Sequence, residues 1–234
     1  MSTNFDKWIE QEINWINIIE KKIKKETLVY SLLMPVIVAV IFGVIGILVG
    51  GGIEGMLRNA LIGIVFGLVI IPFFLLMMIP SYPAKRYKKL LKSEIEDVLT
   101  TEEKETFASQ MSGLETDVKC ITWKWEDKKE SRVYVTKDFA MQKTEDGRVQ
   151  FVQLSKVDKI KNEVRDFSFA TYSGGFKTTY RGCSYIMEFY FKDRVNKKED
   201  ECDKMFVFNK IKDRHVVIKA LKEVLKADQQ CLED

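Results

Sequence analysis

The sequence predicts an α+β membrane protein with an N-terminal amphipathic helix, a two-helix transmembrane hairpin and a helical stalk. A cytosolic antiparallel β-barrel or sandwich, closed by a C-terminal helix, follows. Residues 28–50 and 59–79 contain no charged side chain, and each is long enough to cross a bilayer about 30 Å thick as a helix. From residue 115 onward the apolar period changes to two, which indicates strands. The expected segments are 1–26, 27–83, 84–114 and 115–234.

Composition and motifs exclude several classes of protein. Lys and Arg number 37 against 34 Asp and Glu, a net charge of +3, whereas nucleic-acid-binding proteins usually show a strong basic excess. The single His215 has no partner constellation, and no phosphate loop, catalytic signature or metal-type cysteine spacing occurs. We therefore expect no enzyme, cofactor, metal, nucleic acid or small-molecule substrate. The four cysteines are interpreted as reduced cytosolic thiols.

Residues 4–25 are typical of an amphipathic helix, because their apolar side chains fall within one arc at helical spacing. Thr3 and Asp6 form a plausible capping box at its start. Two interpretations compete. The helix lies on the cytoplasmic leaflet with Trp8 and Trp15 at headgroup level, or it packs on the chain's own cytosolic domain or on a partner helix. Glu12 interrupts the apolar arc.

Positive charges predict the orientation of the two spans. Arg58 is the only Lys or Arg in the connecting turn, whereas four lysines precede the first span and five basic residues follow the second. Since the flanks of spans that face the cytoplasm are rich in Lys and Arg, both termini are expected in the cytoplasm. Neither span contains an ionisable residue, which argues against ion-coupled transport.

Small residues recur at helical spacing in both spans, where they let helix backbones approach closely in lipid. We interpret them as the packing surface of a hairpin within one chain, and a chain-to-chain interface is the alternative. The residues are Ala39, Gly43, Gly46 and Gly50 in the first span, and Ala60, Gly63 and Gly67 in the second.

After the second span, helical patterns cover residues 84–99 and then residues 101–111, the latter capped by Thr100 and Glu103. About seven short strands follow, separated by turn signals at residues 126–130, 146–147, 173–175 and 193–203. A last amphipathic helix runs from Asp213 to about Lys226. Such a helix suits the open, apolar mouth of a small barrel.

The order of these elements resembles the pleckstrin-homology-like (PH-like) domains of bacterial membrane proteins, many of which carry two spans before the domain. The resemblance is carried by Arg132–Thr136 (RVYVT), residues 151–160 (FVQLSKVDKI), the late strands IMEFYF and MFVF, and the final helix. It implies a multi-pass protein of the bacterial inner membrane whose partners are the lipid bilayer and another protein or a second copy.

Two groups of residues are candidates for binding. Lys128, Lys129 and Arg132 cluster where lipid-binding members of this fold hold phosphates, although interleaved acidic residues favour a solvated turn. The predicted loop 172–182 combines aromatic residues, arginine and glycines, and is either a partner-binding surface or a mobile hairpin tip. Its partner-binding candidates are Tyr172, Phe176, Tyr180 and Arg181.

The leading functional hypothesis is a membrane-anchored, cytosolic protein-interaction module, as a small subunit of a larger membrane complex. An oligomeric pore-forming or membrane-perturbing protein is the alternative, and a binder of phosphate or lipid headgroups comes third. The charge-free spans and the missing catalytic constellations favour the first.

Overall fold

The structure is a computed structural model, and it describes residues 3–78, 82–113, 119–125, 129–173, 176–193 and 201–225. The chain divides into two units. The first, the helical hairpin, is formed by Asn14–Lys85. The second, the β domain, is discontinuous and combines Met1–Ile13 with Arg86–Asp234.

Two long helices carry the apolar segments. Helix α1 runs from Asn4 to Leu48 and helix α2 from Gly52 to Met78, so the predicted N-terminal helix and first span form one continuous helix. Both are long and apolar enough to cross a membrane. Only 22% and 11% of their most apolar stretches are buried, which does not fit the core helices of a soluble protein.

The start of α1 confirms the predicted capping box. The Thr3 N–H donates to a carboxylate oxygen of Asp6 at 2.9 Å, and the Asp6 N–H donates to the Thr3 hydroxyl at 3.1 Å. These reciprocal bonds satisfy backbone donors that a helix start otherwise leaves without a partner. They also hold the pKa of the Asp6 carboxyl below its usual range, chiefly through the bond from the Thr3 backbone.

Glycines allow the helices of the hairpin to touch through their backbones. A Cβ atom added at Gly63 would lie 2.8 Å from the Cα atom of Ala39, and one at Gly46 would lie 2.8 Å from the carbonyl carbon of Gly55. A Cβ atom at Gly67 would likewise collide with the α1 backbone. These contacts lie within one chain, as expected if the small residues form the packing surface of an intrachain hairpin.

Two other predicted positions, Gly43 and Gly50, are less tightly packed. At Gly43 a Cβ atom would lie 3.5 Å from Met56 and 3.7 Å from the Cβ atom of Ala60, which is ordinary contact. Gly50 lies in the turn after α1 with φ +82° and would meet nothing within 4 Å. Its role is to adopt a left-handed backbone conformation, not to pack against a helix.

The β domain contains seven antiparallel strands in two sheets, followed by a helix. Sheet A has the order β1-β2-β3-β4 and sheet B the order β5-β6-β7, and the described residues do not join them into a closed barrel. The strands are β1 (Lys119–Trp125), β2 (Lys129–Val135), β3 (Phe139–Thr144), β4 (Val149–Gln153), β5 (Val157–Ser173), β6 (Phe176–Phe191) and β7 (Lys204–Phe208). The helices after the hairpin are α3 (Pro83–Leu91), α4 (Thr101–Met111) and α5 (Ile211–Leu225), with a π-helical turn at Lys92–Glu96.

A single apolar core fills the space between the inner faces of the two sheets and α5. Helix α5 contacts strands of both sheets, namely β1, β2, β6 and β7, and begins two residues before the predicted cap at Asp213. Burial raises the pKa of the Asp213 carboxyl. Core residues include Val133, Val135, Ala140, Val152, Phe189, Phe206, Phe208, Val217 and Leu221.

The outer face of sheet A is also covered. Phe107 of α4 packs edge-on against Phe139 of β3 and Phe151 of β4, with ring centroids 5.4 and 5.5 Å away. Trp8, which is 5% exposed, packs on the same Phe107 ring at 4.7 Å, and Phe5 lies beside it. The start of α1 therefore packs on the chain's own β domain, the second interpretation of the N-terminal helix. Strands β3 and β4 of sheet A are therefore largely buried on both faces.

The helices predicted as a stalk belong to the β domain. Tyr87 and Leu91 of α3, and Ile95 of the π-helical turn, are buried. Helix α4 begins in the predicted capping box, with Thr100 accepting from the Glu103 N–H and Glu103 accepting from the Thr100 N–H. These segments pack against the sheet instead of spanning a solvated linker.

A buried ion pair joins the start of α1 to the middle of the β domain. The Lys143 ammonium of β3 donates to both carboxylate oxygens of Glu12, at 2.7 and 2.6 Å, and the Tyr87 hydroxyl donates to the same carboxylate at 2.5 Å. Glu12 is 8%, Lys143 2% and Tyr87 0% exposed. Burial, together with the negative charge of Glu12, raises the pKa of the Tyr87 hydroxyl far above its usual range, so this hydroxyl remains a proton donor.

The glycine contacts predict a difference between two matched substitutions. Gly63→Ala should lower the free energy of unfolding by about 1–3 kcal/mol relative to Gly43→Ala, because only the first forces two backbones apart. Both variants gain the same intrinsic helix preference of alanine over glycine. Loss of helical circular dichroism during denaturation of the full chain in detergent measures the difference. Equal stability of the two variants would show that the helices do not touch at Gly63.

The buried ion pair predicts a large effect of removing one charge. Lys143→Met leaves the Glu12 carboxylate buried without its counter-charge and should cost about 3–5 kcal/mol of stability. The double variant Glu12→Leu with Lys143→Met should recover most of this loss. Arg148→Met, which breaks an exposed pair with Asp146, is the control and should change stability by about 1 kcal/mol or less. Urea unfolding followed by tryptophan fluorescence compares them, and a wild-type midpoint for Lys143→Met would contradict the role assigned to the pair.

Candidate interaction surface

The β5–β6 hairpin extends beyond the third strand of sheet B. Strands β5 and β6 pair from Val157 and Phe191 to Ser173 and Phe176, whereas β7 pairs only with residues 185–189 of β6. Residues 165–173 and 176–184 therefore form a two-stranded segment, which we call the ribbon. At about 3.4 Å per residue it is roughly 30 Å long. Both of its outer edges are unpaired among the described residues.

The ribbon contains the predicted partner-binding residues, in strands and not in a loop. Tyr172 pairs with Lys177 and Phe169 with Tyr180 in the register of the ladder. Because strand positions alternate between faces, positions 176 and 180 belong to one face of the ribbon and positions 172 and 181 to the other. The side chains of Tyr172, Phe176, Tyr180 and Arg181 lie outside the described structure.

A charged network holds the base of the ribbon on sheet B. The Arg165 guanidinium lies 2.7 Å from Glu163 on its own strand and 2.5 Å from Glu188 on β6. The Tyr190 hydroxyl donates to the second oxygen of Glu188 at 2.7 Å. The hydrogen bond from Arg165 to Glu163 lowers the pKa of the Glu163 carboxyl. The network ties both strands together where the third strand ends.

The candidate basic residues are not gathered into an anion site. Arg132 donates to the carboxylate of Glu130 on the same strand and forms an ion pair with it. Lys129 begins β2, and its side chain lies outside the described structure, as does the whole of Lys128. Among the described residues, the predicted lipid-headgroup site therefore supplies one cation, which is already paired.

A cavity of about 230 Å³ lies between sheet A and β7. Its polar lining includes Ser131, Thr144 and Gln150, together with Asp146 and Arg148. Arg148 and Asp146 form an ion pair of 2.9 Å, so the cationic and anionic side chains in the lining balance. Polar side chains here replace the apolar ones that fill the rest of the space between the sheets.

Gln142 attaches the edge of β7 to sheet A beside this cavity. Its side-chain N–H donates to the Val207 carbonyl oxygen at 2.8 Å, and its side-chain oxygen accepts from the Val207 N–H at 3.0 Å. One side-chain amide thus satisfies both main-chain groups of an edge-strand residue, as a neighbouring strand would.

The hairpin carries an apolar groove of about 470 Å³ on its surface. It runs between α1 and α2, with Ala39, Gly43 and Ala60 in its lining. Branched apolar residues such as Val36, Val40 and Ile64 form much of the remaining lining. Outside this groove, the membrane-surface candidate Trp15 lies on α1 and is half-buried.

No group of three or more His, Cys, Asp or Glu among the described residues could hold a metal ion. Cys183 and Cys202 are free thiols, and burial raises the pKa of the Cys202 thiol. His215 is exposed on α5.

Comparison with protein-family models, with curated proteins and with solved structures gives no match to this chain. The interpretation of the surface therefore rests on geometry alone.

Three residues that form buried contacts within the β domain, Glu12, Lys143 and Gln142, were not among the sequence-based candidates. The sequence pattern does single out Glu12, because it is the one charge inside an apolar arc, and such a charge requires a buried counter-ion if the arc packs on protein. No sequence pattern singles out Lys143 or Gln142. They occupy successive positions of β3 and point to opposite faces of sheet A, and the sequence does not show that both faces are covered.

Proposed function

We propose that the chain is a membrane-anchored protein-interaction module that presents the ribbon to a partner protein in the cytoplasm. The observation that carries this proposal is the ribbon itself, whose two outer edges are unpaired among the described residues. Unpaired strand edges offer main-chain hydrogen bonds, and alternate side chains supply specificity. Aromatic residues and arginine are enriched among residues that dominate binding.

We further propose that the β domain is PH-like and lies on the cytoplasmic side of a bacterial inner membrane. Four antiparallel strands, then three, then one helix support a PH-like arrangement. Lysines before residue 28 and basic residues after residue 84, against Arg58 alone between the spans, support two cytoplasmic termini. In this proposal the module is a small subunit of a larger membrane complex.

The second candidate is an oligomeric pore or membrane-perturbing protein. The apolar groove between α1 and α2 favours it, because such a groove accepts a helix from another copy. The described side chains of the spans include no ionisable group to line a water-filled path, and this weighs against it.

The proposed topology predicts opposite labelling of two engineered cysteines. In a background without the native cysteines, a thiol at Glu54 in the connecting turn should react with a membrane-impermeant reagent added to intact cells. A thiol at Lys219, exposed on α5, should react only after the cells are lysed. The reverse pattern would place the β domain outside the cell and remove a cytoplasmic partner from consideration.

The proposed binding surface predicts that a ribbon variant folds but loses its partner. Phe176→Ala with Tyr180→Ala changes two positions on one face of the ribbon, beyond the residues of β6 that pair with β7. Truncation of interface aromatics costs roughly 2 kcal/mol or more, which is about a thirtyfold loss of affinity. Co-purification from the native host in mild detergent should show a protein that is bound by the wild type and lost in the double variant.

Val216→Ala is the matched control, because Val216 is an exposed apolar residue on α5. It should retain the partner at the wild-type yield. A double variant that unfolds at the wild-type temperature and keeps the partner would remove this face of the ribbon as the binding surface. A wild-type chain that runs as an oligomer of itself without any other protein would instead support the pore.

A further inference from the structure

The edge of β7 that faces Gln142 contains a second residue, Met205, whose main-chain N–H and C=O have no strand partner among the described residues. In an antiparallel ladder the N–H and C=O of one residue point to the same side, and alternate residues share that side. The main-chain groups of Val207 are bound by Gln142 and so point away from β6. Met205, two residues earlier, presents its N–H and C=O in the same direction. No described side chain or strand satisfies them there.

Met205 also lines the 230 Å³ cavity, next to Val207 and the Gln142 side chain. The unpaired edge therefore opens into this partly open cavity, whose lining combines apolar side chains with polar ones. Hydroxyl and amide groups of Ser131 and Gln150 complete the wall. A volume of this size is below the roughly 300–1,000 Å³ of pockets for drug-sized molecules, so the occupant is short and has small side chains.

We infer that this cavity binds an extended, uncharged peptide segment of a partner protein, which adds to the edge of β7 at Met205. Gln142 already shows the chemistry at Val207, two residues further along, where its side-chain amide pairs with both main-chain groups. The Asp146–Arg148 pair leaves the lining without a net charge among its described side chains, which suits a neutral main chain better than phosphate. The site uses none of the ribbon residues and does not depend on the function proposed above.

A capped tripeptide, acetyl-trialanine amide, is the probe. The full chain in detergent micelles, labelled with ¹⁵N at methionine and valine, reports binding through the amide signals of Met205 and Val207. We expect saturable shifts of both signals. The fully N-methylated tripeptide, which lacks backbone donors between residues, should bind at least fivefold more weakly, since one net hydrogen bond is worth about that factor.

Two variants separate main-chain recognition from other causes. Met205→Pro removes only an outward-facing N–H, which an edge strand tolerates, and should weaken binding about fivefold at the Val207 signal. Gln150→Trp fills the cavity and should abolish binding even if the proline variant fails to fold. Equal binding of both peptides, or no saturable shift at the solubility limit of the tripeptide, would overturn the inference. So would inorganic phosphate shifting these signals while the tripeptide does not.

Discussion

The carboxylate of Glu12 is the point on which the β domain depends. Removing a charge from water is costly unless a counter-charge and hydrogen bonds replace the solvent, and here Lys143 and Tyr87 supply three bonds to one carboxylate. These partners lie 131 and 75 residues further along the chain. Once Glu12 is in place, Phe5 and Trp8 complete the aromatic cover over sheet A. Without it, the outer face of that sheet would keep only the cover that Phe107 of α4 provides.

The features predicted from sequence are those with local signals. The apolar spans, both capping boxes and seven strands with a final helix follow from residues close together in the chain. The predicted amphipathic helix continues into the first span without a break, because a change from polar to apolar residues does not end a helix that has no Gly or Pro there. The glycines at 174 and 175 favour the prediction of a loop over residues 172–182, but the strands on both sides continue to pair as far as Ser173 and Phe176. The PH-like architecture stays a prediction.

The two sheets differ in which parts remain exposed, and the proposed binding surfaces lie on the unpaired strand edges of sheet B. Strands β3 and β4 of sheet A are covered on one face by α4 and the start of α1, and on the other by the inter-sheet core. Among the described residues, sheet B keeps unpaired edges on both sides of the ribbon and at Met205. Lys159, Lys161, Glu163 and Arg165 place charges along the proximal part of β5, which discourages unwanted strand pairing. Beyond Asp166 strand β5 is uncharged to its end, so this edge of the ribbon lacks that protection.

The discontinuous β domain also sets an order of events during synthesis. Its first thirteen residues leave the ribosome before the helical hairpin, but the residues that bury them follow that hairpin. Until β3 has been made, the Glu12 carboxylate lacks its counter-ion Lys143, and Phe5 and Trp8 lack the Phe107 ring until α4 has been made. Maturation of the domain therefore waits for residues that are made after α2. A chain stalled before that point would carry exposed aromatic residues, the kind of surface that chaperones and proteases remove.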